Sequence, residues 1–565
     1  MRADYRCDKT NICCYMKDNY RHYYILLFVL ALVINFAGIN VKFFTDDPAL
    51  YASISKNLLN RNGFFELFTY DQNWLDKPHF PFWMVLVSFK LFGVSVWAYR
   101  LPALLFFLLS LLYTFLFSKR YYGQQAAWIA VLILATSQHA VMMNTDVRAE
   151  PYLMALVIGS VYHISRLQER FTFADLLLAG LLTACAIMTK GIFVIVAIGG
   201  ALLGQLIFQK KLGEIFRLKW LFLILLTIVF TLPELYALYS QFDLHPEKTV
   251  FARQHVSGIK WFLWDSQFGR FVNNGPIVKV KSGDPFFYLH TLLWAFAPWC
   301  LLFYYAVYGS IKKIWLKSKL AEYYTLSGGL SLLLLFSLSR FQLPFYANTI
   351  FPFFAIITAP FCHEQLTRFG TAFRFASLWL YTTVFVVAVL LINYFSRPGS
   401  TVLLVASGAV FALIACIIWI KIDKNYLKAF FITCLAALFA NFYLNTVFYN
   451  VIASYNGQIK AADYINQSSF NGSHIYSLKF ENNIFQFYSK RPIDYVPLDN
   501  FKEFKPRQPS VFFASYKTID FLQQNHAEFK VIKAFQNYPQ EIIFPAFINK
   551  ATRSTVLDSV YLISK

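Results

Sequence analysis

Residues 23–41 read YYILLFVLALVINFAGINV, an uncharged apolar stretch that Asp46 and Asp47 follow closely. At 1.5 Å per helical residue, such a stretch crosses the ~30 Å hydrocarbon core of a bilayer. Similar stretches recur as far as residue 449, so the sequence predicts a polytopic α-helical membrane protein with about thirteen transmembrane helices. The predicted spans are 23–41, 101–118, 125–143, 151–165, 174–190, 191–208, 220–239, 286–310, 323–339, 342–362, 375–396, 400–420 and 429–449.

The composition excludes a water-soluble globule. Of the 565 residues, 58% are hydrophobic, 19% are aromatic and only 14% are charged, and the mean hydropathy is +0.47. Soluble domains carry roughly 25% charged residues. Disordered, collagen-like and coiled-coil chains are excluded by the same recurring apolar runs.

The net charge of +21 is explained by topology. Many of the Lys and Arg residues lie in short connections that alternate with the predicted spans, including 119–120, 210–211 and 312–313. Because cytoplasmic loops of membrane proteins are enriched in Lys and Arg, the pattern places the N-terminus in the cytoplasm. Anionic membrane lipid is the partner this charge implies, and no nucleic acid is expected.

Thirteen crossings place the first loop, 42–100, and the tail, 450–565, on the periplasmic side. We therefore predict a membrane domain at 1–449 and a small α/β domain at 450–565, because the tail alternates short helix-like and strand-like pieces. Two interfacial helices are expected in the first loop, at 48–60 and 81–98. In the first of them Leu50, Ile54 and Leu58 form an apolar side, and Ser53, Lys56 and Asn57 form a polar one.

Charged residues gather in the segments predicted to face the periplasm. Asp46 and Asp47 follow the first span, Asp76 and Lys77 lie later in the same loop, and the third group is Asp146, Arg148 and Glu150. Since these spans pack in one bundle, we expect the groups to meet in one cavity. A carboxylate can act as general base toward a hydroxyl, while a cation stabilises charge growing on a phosphate. Transfer of a sugar from a lipid phosphate to a hydroxyl needs both.

The order of motifs resembles one enzyme family. These motifs are Asp46-Asp47-Pro48-x-x-Tyr51, Asp76-Lys77-Pro78, Phe92-Gly93, Arg100-Leu101-Pro102, Met188-Thr189-Lys190-Gly191, Pro285-Phe286-Phe287-Tyr288, Ala297-Pro298-Trp299, and Phe336 to Tyr346. Together they resemble the GT-C membrane glycosyltransferases, nearest to glycosyltransferase family 39, the protein O-mannosyltransferases and lipid A aminoarabinose transferases. The resemblance covers most of residues 25–365.

The resemblance implies roles for individual residues. Asp46 falls on the first acid, the general base, and Asp47 on its neighbour. Lys77 would contact the lipid-linked phosphate and Asp76 would position it. Glu150 falls on an acid that opens the fourth span, with Asp146 as a competing choice. Further phosphate contacts are expected at Arg100, Arg148, Lys190 and Arg340, and sugar or acceptor contacts at Tyr51, Trp74, Trp83 and Tyr346.

The implied reaction moves a sugar from a polyprenyl-phosphate donor to a hydroxyl or phosphate on a glycolipid, glycan or protein acceptor. It proceeds with inversion and without a glycosyl-enzyme intermediate. The resemblance implies no definite cofactor, and a divalent metal is a possible one. The histidine that the aminoarabinose group tends to carry before its Pro-Phe-Trp-Tyr is replaced here by Ser282-Gly283-Asp284, and His255 is the remaining external candidate ligand.

Three alternatives remain at this stage. The first is the aminoarabinose transferase itself. The second is a transporter or flippase of lipid-linked sugars, although transporters often show repeated halves and ionisable residues within their spans. The predicted spans here are nearly free of charge and no repeat is evident. The third is a receptor-like scaffold without activity.

Overall fold

A computed structural model describes residues 20–278, 283–479, 482–539 and 542–565. Its membrane part is built from apolar helices. They are Arg21–Ala37, Val96–Thr136, Gln138–Met143, Glu150–Glu169, Phe173–Lys190, Val194–Phe208, Leu218–Leu238, Phe287–Ala295, Cys300–Trp315, Tyr324–Leu338, Phe351–His363, Arg368–Ser396, Thr401–Lys421 and Asn425–Tyr443. Shorter helical pieces are Leu212–Phe216, Tyr239–Asp243, Gly258–Lys260, Trp261–Asp265, Ser266–Val272, Pro344–Ile350, Leu444–Phe448 and Tyr449–Ser454.

Every predicted span overlaps at least one helix, and the prediction of a polytopic helical protein is confirmed. By length and composition, seven of the described helices can cross a bilayer, and four shorter apolar helices accompany them. The number of crossings and the side on which each terminus lies stay predictions. Lipid-facing surfaces are clearest on Thr401–Lys421, where Ile418 alone among the helix's residues is buried.

One predicted boundary needs correction and another is present. The span expected at 286–310 is two helices, which end and begin on either side of Pro298. A proline lacks the N–H that a continuous helix would use and its ring clashes with the preceding turn. The break predicted between spans 101–118 and 125–143 is present, because within Val96–Thr136 the chain leaves helical geometry at Gly123, whose φ of 84° costs a glycine little.

The first outer loop contains a helix at Asp46–Asn60, called here the acid helix, a two-stranded hairpin of Phe68–Thr69 with Gln72–Asn73, and a helix at Phe80–Phe92. The expectation that the acid helix exposes a polar side is wrong. Ser53 is fully buried, and Lys56 donates to backbone carbonyls of the C-terminal region. That region covers the side opposite Ile54, so both faces of the helix are packed.

The C-terminal region forms a five-stranded sheet. Its strands, in spatial order, are Ile493–Tyr495, His474–Ser477, Ser510–Ser515, Asp558–Ser564 and Lys530–Asn537. The first three are parallel and the last two antiparallel to their neighbours. Helices Gly457–Ile465, Asn483–Tyr488, Tyr516–Gln524 and Pro545–Ile548 accompany them, with single turns at Ser468–Phe470, Leu498–Asn500 and Arg553–Val556. These elements lie where the alternating pattern predicts them, and treating the region as a separate domain stays a prediction.

Candidate active site

The two adjacent carboxylates at the start of the acid helix turn to different partners. Acidic side chains are favoured in a first helical turn because its free N–H groups carry partial positive charge. Asp47 forms an ion pair with Arg148. Asp46 accepts a hydrogen bond of 2.5 Å from the Nδ2 of Asn483. The acid pair therefore joins the membrane helices on one side and the C-terminal region on the other.

Arg148 connects the first loop with the segment before the helix Glu150–Glu169. Besides Asp47 it contacts Asp146, whose Oδ2 lies 3.2 Å from Nη2. The Asp146 carboxylate also accepts a hydrogen bond from Thr45, just before the acid helix. The guanidinium lies 4.4 Å from the centre of the Phe345 ring. The structure thus brings together the first and third acidic groups, as the sequence predicts.

Asp76 lies between two cations. Lys77 Nζ is 2.7 Å from its Oδ2, and the Arg270 guanidinium donates to its Oδ1. Burial by itself would raise the pKa of the Asp76 carboxyl, but the charges of Arg270 and Lys77 outweigh burial and hold this pKa below its ordinary value. Burial and the repulsion from Arg270 lower the pKa of Lys77, despite the attraction of Asp76. The cluster is therefore rich in positive charge.

Glu150 and Lys190 form a buried ion pair beside this cluster. The Glu150 side chain is fully buried and that of Lys190 is 6% exposed. Lys190 Nζ also lies 3.9 Å from the centre of the Tyr346 ring. The second carboxylate oxygen of Glu150 has no hydrogen-bond partner within the described residues. A buried charged oxygen left in this way is costly unless a ligand or water reaches it.

Tyr51 lies among all these acids. Its side chain is 8% exposed, on the acid helix one turn after Asp47. Burial, and then the negative charges of Asp47, Asp76 and Glu150, raise the pKa of its hydroxyl well above the ordinary value. Tyr51 is therefore within electrostatic reach of three carboxylates that come from three different segments of the chain.

An apolar groove begins at the cation cluster. It is a cavity of about 300 Å³ with Lys190, Arg270 and Tyr346 at its polar end. Its other walls are mostly aliphatic and aromatic, from Ile192, Phe193, Val196, Phe268, Phe271, Leu335, Phe336 and Phe341. A small adjoining pit is lined by Asp76, Lys77, Lys190 and Arg270. The arrangement suits a molecule with one charged head and a long apolar tail.

Arg270 was missed at the level of sequence. It follows the aromatic run Trp261–Asp265, in the outer loop whose one candidate residue was His255. A cation within an aromatic helical segment was the available signal. Its proximity to Asp76, almost two hundred residues earlier, depends entirely on tertiary structure.

Several residues predicted to contact the phosphate or the sugar lie away from the cation cluster or have other partners. The phosphate role expected of Arg100 is corrected, because its side chain is 1% exposed and donates to the backbone carbonyls of Gly38, Ile39, Val41 and Thr145. Arg340 is exposed, and the structure shows its backbone N–H bound to Phe271. Trp83 donates its indole N–H to the Phe64 carbonyl and stacks on that ring, which gives it a structural role.

Trp74 differs from Trp83 in the state of its indole N–H. This N–H is buried and has no hydrogen-bond partner within the described part of the chain. The side chain packs against the membrane core, next to the hairpin of the first loop. A donor of this kind is available to a ligand oxygen, so Trp74 stays a candidate sugar or acceptor contact.

A second buried acid was also missed. Glu234, within the helix Leu218–Leu238, is fully buried and binds His79 twice, at the backbone N and at Nδ1, both 3.0 Å away. The sequence suggested that the spans carry almost no charge. This carboxylate fixes the end of the Asp76-Lys77-Pro78 segment to a membrane helix, so it positions Lys77 without contacting it.

The described side chains give no support to a metal site. His255 is exposed on the loop at 251–257, with its backbone N–H bound to Pro246. In the described ranges no three His, Cys, Asp or Glu side chains come together as a metal site would need. The possible metal role of His255 therefore stays a prediction without a ligand set.

Comparison with known proteins agrees with this geometry. The model of the dolichyl-phosphate-mannose-protein mannosyltransferase family matches residues 76–236, which include Asp76, Lys77, Glu150 and Lys190. An uncharacterised protein of Aquifex aeolicus (strain VF5) is 25% identical over 386 residues, 67% of this chain and 70% of that protein. An undecaprenyl phosphate-alpha-4-amino-4-deoxy-L-arabinose arabinosyl transferase of Edwardsiella ictaluri (strain 93-146) is also 25% identical, over 62% of this chain and 61% of its own length.

A solved structure shares the overall fold. ArnT from Cupriavidus metallidurans, crystallised with undecaprenyl phosphate, superposes with a TM-score of 0.74. The superposition covers 96% of this chain and 98% of that one, at 17% identity. Such identity speaks for the fold alone, and this chain therefore shares the overall fold of that protein.

The family match over residues 76–236 and the named relatives support a glycosyltransferase that resembles the GT-C membrane enzymes. The predicted resemblance is confirmed, and with it the prediction of a glycosyltransferase over a transporter or an inactive scaffold. The chain is similar to the aminoarabinosyl transferases. It spans about half to three fifths of the length of those that it matches.

Proposed function

We propose that this protein transfers a sugar from an undecaprenyl-phosphate-linked donor to an acceptor at the periplasmic face of a bacterial inner membrane. The observation that carries the proposal is the cluster of Lys77, Arg270 and Lys190 at the polar end of an apolar groove, beside several carboxylates. A polyprenyl tail would lie in the groove and its phosphate at the cations.

The charge balance of the cluster suits this donor. Three cations face the two carboxylates of Asp76 and Glu150, which leaves one positive charge in excess. A polyprenyl-phosphate sugar is a phosphodiester with one negative charge, and the polyprenyl phosphate released carries more. Arg270, with its planar fork of donors, and Lys77 would stabilise this growing charge. Asp76 would hold both in place.

Asp46 is proposed as the general base. It takes the proton from the acceptor hydroxyl while that oxygen attacks the anomeric carbon from the face opposite the phosphate. The bond between that carbon and the phosphate oxygen breaks, and its electron pair stays on the phosphate. One such displacement inverts the anomeric configuration. Asp47 and Asp146 keep Arg148 in position through their ion pairs.

The finer proposal concerns the substrates. The names of three relatives at 23–25% identity make 4-amino-4-deoxy-L-arabinose the first donor sugar to test. The resemblance seen in the sequence makes a phosphate of lipid A the first acceptor to test. A hydroxyl of another glycolipid, a glycan or a protein is the alternative acceptor. The unpartnered Trp74 N–H and the buried Tyr51 are proposed contacts for the sugar or the acceptor.

The test compares envelope lipids and glycans by mass spectrometry in cells with the wild-type protein, without it, and with Asp46→Asn. We expect one sugar-sized mass difference that is lost without the protein and in the variant, which keeps the shape of the side chain but removes its basicity. Wild-type amounts of product from a normally inserted Asp46→Asn protein would disprove the role of Asp46. Unchanged lipids and glycans in the deletion strain would disprove the transfer itself.

A further inference from the structure

The acid helix is covered by one short helix of the C-terminal region, Asn483–Tyr488, called here the latch helix. Ser53 Oγ donates to the Asn483 carbonyl at 3.1 Å. Lys56 Nζ donates to the carbonyls of Phe487 and Ser489, at 3.0 and 2.5 Å. These contacts place the latch helix directly against the acid helix.

Two further contacts fix the latch helix next to the first residues after the membrane span. The Phe43 N–H donates to the Tyr488 hydroxyl at 3.0 Å, and the Phe43 and Phe487 rings meet edge to face at 4.9 Å between centres. Asn483, at the near end of the latch helix, is thereby directed at the first turn of the acid helix. Its side chain is only 4% exposed.

We propose that Asn483 is a positioning residue for Asp46, so that the C-terminal region completes the active site of the transferase. This inference rests on the proposed function. The amide Nδ2 donates to one oxygen of the Asp46 carboxylate at 2.5 Å. Such a bond fixes the rotation of the carboxylate and stabilises its ionised form, which is the form that a general base needs.

The neutral amide of Asn483 suits the orientation of a general base. A cation at this position would neutralise the base, whereas a neutral donor orients it and leaves its charge. The Oδ1 of Asn483 is buried and has no hydrogen-bond partner within the described residues. An acceptor hydroxyl that reaches Asp46 would find this oxygen beside it.

The titratable groups on elements packed near Asp46 are Tyr70, Asp47, Asp146 and Arg148. Tyr70, in the hairpin of the first loop, is buried, and burial followed by the charge of Asp46 raises the pKa of its hydroxyl, so it stays protonated. Arg148 holds the other two in ion pairs.

The test uses the full-length protein in lipid vesicles, with the donor and acceptor found by the mass-spectrometry comparison. In Asn483→Ala we expect kcat to fall about tenfold with the donor KM unchanged within twofold. The acid limb of the kcat–pH profile should move up by about one unit, because a hydrogen bond to the ionised base is lost. In Asn483→Asp, nearly identical in shape, a like charge beside the base should move that limb further up.

Two controls separate positioning from folding. Asn525→Asp makes the same chemical change on an exposed residue of the same region, and should leave the profile unchanged. Lys56→Met removes contacts at the far end of the latch helix and keeps those of Asn483 and Phe43, so it should lower thermal stability while the acid limb stays in place.

An acid limb that is the same in Asn483→Ala and Asn483→Asp as in the wild type would overturn the inference. Should Asp46→Asn itself keep its activity, the proposed function would fail instead, so the two failures are distinguishable. If Asn483→Ala does not fold, the acid limb of the nearly isosteric Asn483→Asp still tests the inference.

Discussion

The proposed donor side and the proposed base side of this site are held in different ways. On the proposed donor side, Lys77, Arg270 and Lys190 come from three separate segments and contact the carboxylates of Asp76 and Glu150. On the proposed base side, Asp46 accepts from a neutral amide, and Arg100 donates to backbone carbonyls of the loop before it. The difference agrees with the proposed roles, because binding a phosphate requires positive charge, whereas a general base requires a fixed orientation.

The largest expected effect tests the donor side. Arg270→Ala should lower kcat/KM for the lipid donor about a hundredfold, since one charge-assisted contact to phosphate is lost and Asp76 is left partly unbalanced. Steady-state kinetics at several donor concentrations measure this. The matched control is Arg340→Ala, which should stay within twofold of the wild type, because Arg340 is exposed. Equal losses in both variants would contradict the assignment of Arg270.

An intermediate effect tests the base side. Arg100→Met should lower thermal stability by several degrees, because its carbonyl partners at 38, 39, 41 and 145 lose their donors. Thermal unfolding of the purified protein reports this loss. The folded fraction should keep its donor KM. A raised donor KM with unchanged stability would restore the phosphate role first expected of Arg100.

The smallest expected effect is a dependence on alkaline pH. Because burial and Arg270 lower the pKa of Lys77, this lysine loses its proton at a lower pH than an ordinary lysine does. The donor KM should therefore rise as pH increases toward 10.5, and its rise should begin before that value. In Lys77→Arg, whose guanidinium stays charged, the rise should disappear. The same pH dependence in both proteins would show that another group titrates.

The sequence was informative where residues of one charged group are also neighbours in the chain. Asp76 and Lys77 are adjacent, as are Asp46 and Asp47, and an acid beside a membrane span is costly enough to signal a purpose. It was least informative for Arg100. A conspicuous arginine in a motif can serve a phosphate or bind carbonyls, and only the positions of its donors distinguish the two.

The partners Arg270 and Asn483 illustrate what local reasoning cannot reach. They lie about two hundred and more than four hundred residues from the acids they contact. Neither occupies a motif with a recognisable spacing. Similarly, Glu234 was hidden within an apolar helix, where its pairing with His79 makes a buried charge tolerable.

By itself the sequence determined the class of fold, because runs of apolar residues of bilayer length admit few structures besides helices, and it located the acids because charge next to such runs is exceptional. Tertiary structure alone decided which carboxylate meets which cation, that the acid helix is buried on both sides, and that the C-terminal region reaches Asp46. These are contacts between segments far apart in the chain, and helix periodicity specifies only the face of each segment, not the partner that will cover it.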